Sequence, residues 1–145
     1  MLFRSRTSSC QVWGYDFSVK SFGPEITWSL SSRAHFKPYK LGGVNVDSST
    51  PGHEDEDYKT YTLARLMEIN QHKHIDVLKI DIEGYEFETL KSLIQPYLEI
   101  KRPLPFAQMQ LELHLWDMND RFGEFKEFWE MLEEAGLRPF WTEVC

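Results

Sequence analysis

Short apolar runs alternate along this chain with longer segments of helical period, and that alternation limits the fold more than any other feature. Gln11–Tyr15, Arg33–Phe36, Asp76–Ile82, Phe106–Trp116 and Leu137–Val144 are runs of strand length. Between them, Thr62 caps a segment whose apolar face is Leu63, Leu66 and Met67. Glu83 to Ile94 sets Phe87, Leu90, Leu93 and Ile94 on one face, with Pro96 as its stop. Arg121 to Ala135 directs Phe122, Phe125, Phe128, Trp129 and Leu132 inward and ends on Gly136 as a C-cap. Strands joined through helices pair in parallel and need cover on both faces. The pattern predicts an α/β fold with one sheet, its strands near Cys10, Arg33, Asp76 and Phe106 parallel and in the order 33, 10, 76, 106.

Residues 1–145 are enough for one domain with a real core, and the aromatic share of 14% supplies large side chains to fill it. Within this domain, residues 47–59 read as a flexible, acidic, solvated loop. The net charge of −7 argues against a grip on nucleic acid, where basic groups must meet phosphate. Cys10 and Cys145 form neither metal-type spacing nor a disulfide framework, and Cys10 reads as a small buried hydrophobe. No apolar stretch has membrane-spanning length, and the first ten residues contain no apolar signal core. Neither compartment nor oligomeric state can be read from these features.

The stretch richest in chemistry is Val77-Leu78-Lys79-Ile80-Asp81-Ile82-Glu83-Gly84-Tyr85-Glu86-Phe87. A buried parallel strand should be almost wholly apolar, yet Lys79 and Asp81 lie two apart and so on one face. Asp81 falls at the carboxyl end, where open α/β sheets bind ligands. Gly84 permits close approach of backbone or ligand, and Glu83 and Glu86 suit a helix start. A capped strand-to-helix turn with solvated acids accounts for the same residues. On the next strand Glu112 and His114 share a face. His114 reads either as a hydrogen-bonded core histidine or as a general base. With Asp81 the pair could also ligate a divalent metal, but spacing alone assigns none. His53, His72 and His74 read as solvated, and the Phe122, Phe125, Phe128 and Trp129 stripe reads as core.

If the two strands end level, Lys79 should face and neutralise Glu112, with both buried, and Asp81 should face His114 nearer the rim. Leu78, Ile80, Leu111 and Leu113 would then share the dry face.

Lys79-Ile80-Asp81-Ile82-Glu83-Gly84-Tyr85-Glu86 resembles the K-I-D-[VI]-E-G-x-E signature of FkbM-like methyltransferases. Further blocks are similar to the FkbM-related methyltransferase-like domain family: Val12 to Ser18, Leu41-Gly42-Gly43, Gln110 to His114, and Ala135 to Glu143. The resemblance spans Cys10 to Glu143. It implies a class I, Rossmann-like fold using S-adenosyl-methionine, with methyl transfer to a small-molecule or glycan acceptor. Asp16 would accept the ribose hydroxyls, although a turn or N-cap role fits it too. Gly42 and Gly43 match the loop near the adenine. Asp81, Glu83 and His114 match the edge where acceptor or methionine moiety would lie.

The family's glycine-rich first motif has no counterpart here, since no G-x-G occurs in the chain, and its pattern continues past Glu143 with one more strand. The expectation is an incomplete domain, lacking the first strand and helix and the final strand, with impaired or no activity. Two other readings compete with a catalytic one. A non-catalytic remnant would act only as a binding or scaffold domain. A nucleotide-dependent oxidoreductase would fit Asp16, but K-I-D-I-E-G does not suggest one.

Overall fold

A computed structural model describes residues 9–24, 26, 31–52, 58–115 and 122–143. The chain divides into two compact units, one within Met1–Leu41 and Asn45–Tyr61, the other within Gly42–Val44 and Thr62–Cys145.

In the first unit β1 (Val12–Tyr15) runs parallel to β2 (Ala34–Lys37), with Val12 opposite Ala34 and Tyr15 opposite Lys37. The paired Trp13 and His35 stack with ring centroids 4.2 Å apart. Phe22 lies over Gly14 so closely that a Cβ there would sit 2.5 Å from its ring, so any larger residue would have to displace that ring. β3 (Tyr39–Leu41) and β4 (Lys59–Tyr61) form a second parallel pair, and Val46 bridges Thr60 in the antiparallel sense. These two strands have three residues each, too short for periodicity to reveal. Residues 53–57, which include His53 and the acidic centre of the expected loop, lie outside the described residues.

In the second unit Thr62 caps α1 (Leu63–Ile69), its side chain accepting the Arg65 N–H, and Leu63, Leu66 and Met67 are buried as their spacing requires. β5 (Ile75–Ile80) pairs in parallel with β6 (Phe106–Leu111). α2 (Glu86–Glu99) lies between them in sequence and α3 (Phe122–Glu134) follows. Leu90, Leu93 and Ile94 of α2 are buried, worth about 1.5–3 kcal/mol each. Phe87 meets the fully buried Phe128 of α3 with ring centroids 4.5 Å apart. Gly136 takes φ +88°, and the Gly136 and Leu137 N–H groups close back onto Glu133 and Leu132 in a Schellman cap.

Several expectations need correction. The described strands form three separate two-stranded ladders and not one continuous sheet, although the expected parallel pairing of 12 with 34 and of 75 with 106 is present. α2 begins at Glu86, three residues later than expected, because Glu83 (φ +55°) and Gly84 (φ +98°) are left-handed and cannot be helical. It runs through Pro96 to Glu99. Pro96 carries no N–H, so the helix lacks the bond that position would donate to the Ser92 carbonyl. β6 stops at Leu111, and Trp116 lies outside the described residues. Phe122 is 73% exposed and not inward, since it opens α3, before the buried Phe128 and Leu132. Leu137 to Glu143 is not a strand: Pro139 interrupts it, and Phe140 and Trp141 are exposed.

Candidate functional site

The ends of β5 and β6 bring three side chains together. The Glu112 N–H donates to the Ile80 carbonyl at 3.0 Å, carrying the ladder one step past its last paired residues. Side chains alternate along a strand, so Leu78 and Ile80 take the buried face of β5 while Lys79 and Asp81 take the other. One ligand-type atom each from Asp81, Glu112 and His114 lies within 4.8 Å of the other two. The expected meeting of Asp81 with His114 is thus present, and Glu112 joins it. Glu83 is there too, its Oε2 3.6 Å from His114 Nε2, with the carboxylate largely exposed.

The expected Lys79–Glu112 pair does not form. The ladder places Lys79 opposite Gln110, two residues out of the assumed register. Its ammonium instead lies 2.8 Å from Asp81 Oδ2 on its own strand, half exposed. Ladder register is set by where each strand starts, Ile75 opposite Phe106, and residue types alone do not reveal that. The Lys79 ammonium beside Asp81 holds its carboxyl below the ordinary value, against the opposing push of partial burial.

Glu86 is the residue that sequence reasoning missed. A helix-start position favours an acid through the dipole, yet Glu86 is 0% exposed. Its Oε1 accepts the Ile82 N–H at 3.1 Å, both its oxygens accept the Gly84 N–H at 3.2 and 3.1 Å, and His114 Nδ1 lies 2.8 Å from Oε1. Burial pushes the Glu86 carboxyl up, but the His114 bond and backbone N–H groups outweigh it and leave the group below its ordinary value. The same bond to Glu86 raises His114; desolvation opposes, and the charges of Glu86, Glu83 and Glu112 add to the rise. A usable signal existed in the sequence. A glycine two residues before a helix-opening glutamate marks a left-handed turn whose N–H groups can converge on that carboxylate.

The residues expected to hold a cofactor are placed differently. Asp16, in the first unit, follows β1, and its exposed Oδ1 accepts the Ser18 N–H at 2.8 Å and the Ser18 hydroxyl at 2.7 Å. In that unit Phe17 and Tyr58 lie 4.7 Å apart, with Lys40 Nζ 5.8 Å from each ring. Gly42 is buried and Gly43 packs against α2, where a Cβ would come 3.2 Å from the Glu88 carbonyl oxygen. Close helix packing alone therefore explains a glycine at 43.

Among the described residues, no helix is long and apolar enough to cross a membrane. The fold and this strand edge define an α/β protein with a histidine held among carboxylates at the carboxyl ends of parallel strands. The profile of the methyltransferase FkbM domain matches residues 22–139, most of the chain, and the protein belongs to that family. No curated protein and no solved structure matches it.

Proposed function

We propose that this FkbM-domain protein transfers a methyl group from S-adenosyl-methionine to an oxygen of a small-molecule or glycan acceptor, its parallel strand pairs and helices belonging to a Rossmann-like class I fold. The observation that carries this reading is the convergence of Asp81, Glu112 and His114 at the β5–β6 edge of a chain that belongs to a methyltransferase family. The cofactor would supply an electrophilic methyl carbon on a sulfonium. Asp16 is the proposed ribose ligand: Oδ1 accepts from Ser18, and the second carboxylate oxygen would accept from the ribose hydroxyls. The Phe17–Tyr58 pair offers aromatic surface to a purine in the same unit. Gly42 and Gly43 are proposed for the adenine loop, acting through backbone shape.

Asp81, Glu83 and His114 are proposed to meet the acceptor. Methyl transfer needs mainly alignment of the acceptor oxygen with the sulfonium, and these groups supply fixed hydrogen-bonding positions on a strand edge. Either His114 or the exposed Glu83 beside it can take the acceptor's proton. A second reading, a domain that binds without turnover, is favoured by the absence of any G-x-G pattern in the sequence.

The test is transfer of labelled methyl from S-adenosyl-methionine to a panel of hydroxyl- and carboxyl-bearing small molecules and glycans. Asp81→Asn and His114→Ala should each lower turnover at least about tenfold while shifting the urea midpoint little. Turnover in both variants equal to that of the native protein would remove these residues from the reaction. Binding of the cofactor without transfer to any acceptor would favour the binding-only reading.

A further inference from the structure

We propose that Asp81, Glu112 and His114 form a binding site for a divalent first-row cation at the carboxyl ends of β5 and β6. The inference places the cation at the edge assigned above to the acceptor. It stands whether or not the protein binds S-adenosyl-methionine, because it concerns the cation alone.

The first argument is distance. Ligand atoms about 2.1 Å from one cation are separated by roughly 3.0 Å when adjacent and at most about 4.2 Å when opposed. One atom from each of these three residues already lies within 4.8 Å of the others, so closing on a cation requires shifts of about an ångström or less. Asp81 and Glu112 are exposed enough to make them. The second argument is rigidity. The donors follow directly on two strands, Asp81 after β5 and Glu112 and His114 after β6, whose register is fixed by a ladder running from Ile75–Phe106 to Ile80–Leu111 and extended by the Glu112 N–H.

The third argument is independent of the cluster. Glu86 lies outside it, is 0% exposed, and is anchored by the Ile82 and Gly84 N–H groups, yet it turns Oε1 to His114 Nδ1 at 2.8 Å. A bond from Nδ1–H to a carboxylate fixes the tautomer and puts the ring's lone pair on Nε2. Metal-ligating histidines are oriented by a second carboxylate in just this way. The fourth is charge. Four carboxylates gather here, Asp81, Glu83, Glu86 and Glu112, with the Lys79 ammonium 2.8 Å from Asp81 and the His114 ring beside Glu83 and Glu86. Two carboxylates and an imidazole suit Mn²⁺, Fe²⁺ or Zn²⁺ better than an all-oxygen cage would. With a cation bound, His114 is a ligand, and Glu83 remains to take the proton of an acceptor hydroxyl.

The test is titration of the chelator-stripped protein with Mn²⁺, following the loss of the free-ion signal by electron paramagnetic resonance. One Mn²⁺ per chain is expected. Asp81→Asn and His114→Ala should each weaken binding by at least about tenfold, and Glu86→Gln by about 10- to 100-fold through the ring it orients. Lys79→Met should tighten binding several-fold, because it removes a positive charge from the same carboxylate. Lys79 and Asp81 are exposed, so those two variants keep the test valid even if Glu86→Gln fails to fold; circular dichroism monitors folding throughout. Exposed Glu99→Gln should bind as the native protein does. Native-like Mn²⁺ binding by Asp81→Asn or His114→Ala, or no specific binding by the native protein, would overturn the proposal.

Discussion

Truncating Glu86 should be among the most destabilising single changes in the second unit. Glu86→Ala removes the acceptor for the Ile82 and Gly84 N–H groups and for the His114 ring at once. Each donor left without a partner costs about 1–3 kcal/mol, and breaking a buried charged pair by deleting one member costs about 3–5 kcal/mol. Because the donors are part-buried, the lower figure, about 3 kcal/mol, is the expectation for Ala. Glu86→Gln keeps one acceptor oxygen but turns an amide toward N–H donors and gives up the charge-assisted bonds, for about 1–2 kcal/mol. Against a total stability of about 5–15 kcal/mol, the Ala change is a large fraction. Urea denaturation at constant m reads it directly: with m near 1.5–2 kcal/mol/M, the midpoint should fall by roughly 1.5–2 M. Exposed Glu99→Ala, in the same helix, is the control and should stay within about 0.5 kcal/mol of native. If Glu86→Ala costs no more than Glu99→Ala, the buried carboxylate does not organise this turn.

The His114–Glu86 pair also gives stability a pH window, best measured in chelator. His114 is held above its ordinary value of 6.5, so its contribution is complete below that value and is lost as pH rises through the higher folded one. Glu86 is held below its ordinary 4.5, so its contribution is present above 4.5 and is lost as pH falls through the lower folded value. Thermal midpoints should therefore fall on both sides of this window in the native protein, and the alkaline loss should vanish in His114→Ala. Phe128→Ala empties a fully buried position against the Phe87 ring and should cost about 3–5 kcal/mol by urea denaturation. The Thr89 hydroxyl is buried and finds no hydrogen-bond partner among the described residues, so Thr89→Val should be neutral or stabilising by up to about 1 kcal/mol; a loss above that would reveal a partner. Gly43→Ala must push a Cβ against the Glu88 carbonyl and should destabilise by about 1–2 kcal/mol, read as a lowered midpoint.

Much of this architecture was legible because hydrophobic period and capping are local signals. Thr62 announces α1, the Leu90, Leu93 and Ile94 spacing marks the buried face of α2, and Gly136 ends α3 as expected. The K-I-D-I-E-G-Y-E block likewise carried both the family and the position of the acidic edge. What was not legible depends on distant geometry. Ladder register decided that Lys79 would meet Asp81 and not Glu112, and no property of either side chain encodes that offset. The burial of Glu86 depends on a left-handed turn at Glu83 and Gly84 and on a histidine that follows another strand. β3 and β4 escaped notice because three residues cannot express a period of two.

The proposed function rests on binding of S-adenosyl-methionine, for which Asp16 is the proposed ribose ligand. Isothermal calorimetry with S-adenosyl-methionine on the native protein and on Asp16→Ala tests it most directly. Saturable one-to-one binding is expected, weakened at least about tenfold in Asp16→Ala by the loss of a hydrogen bond to a charged acceptor. Absence of binding heat in the native protein, or equal affinity in both, would contradict it.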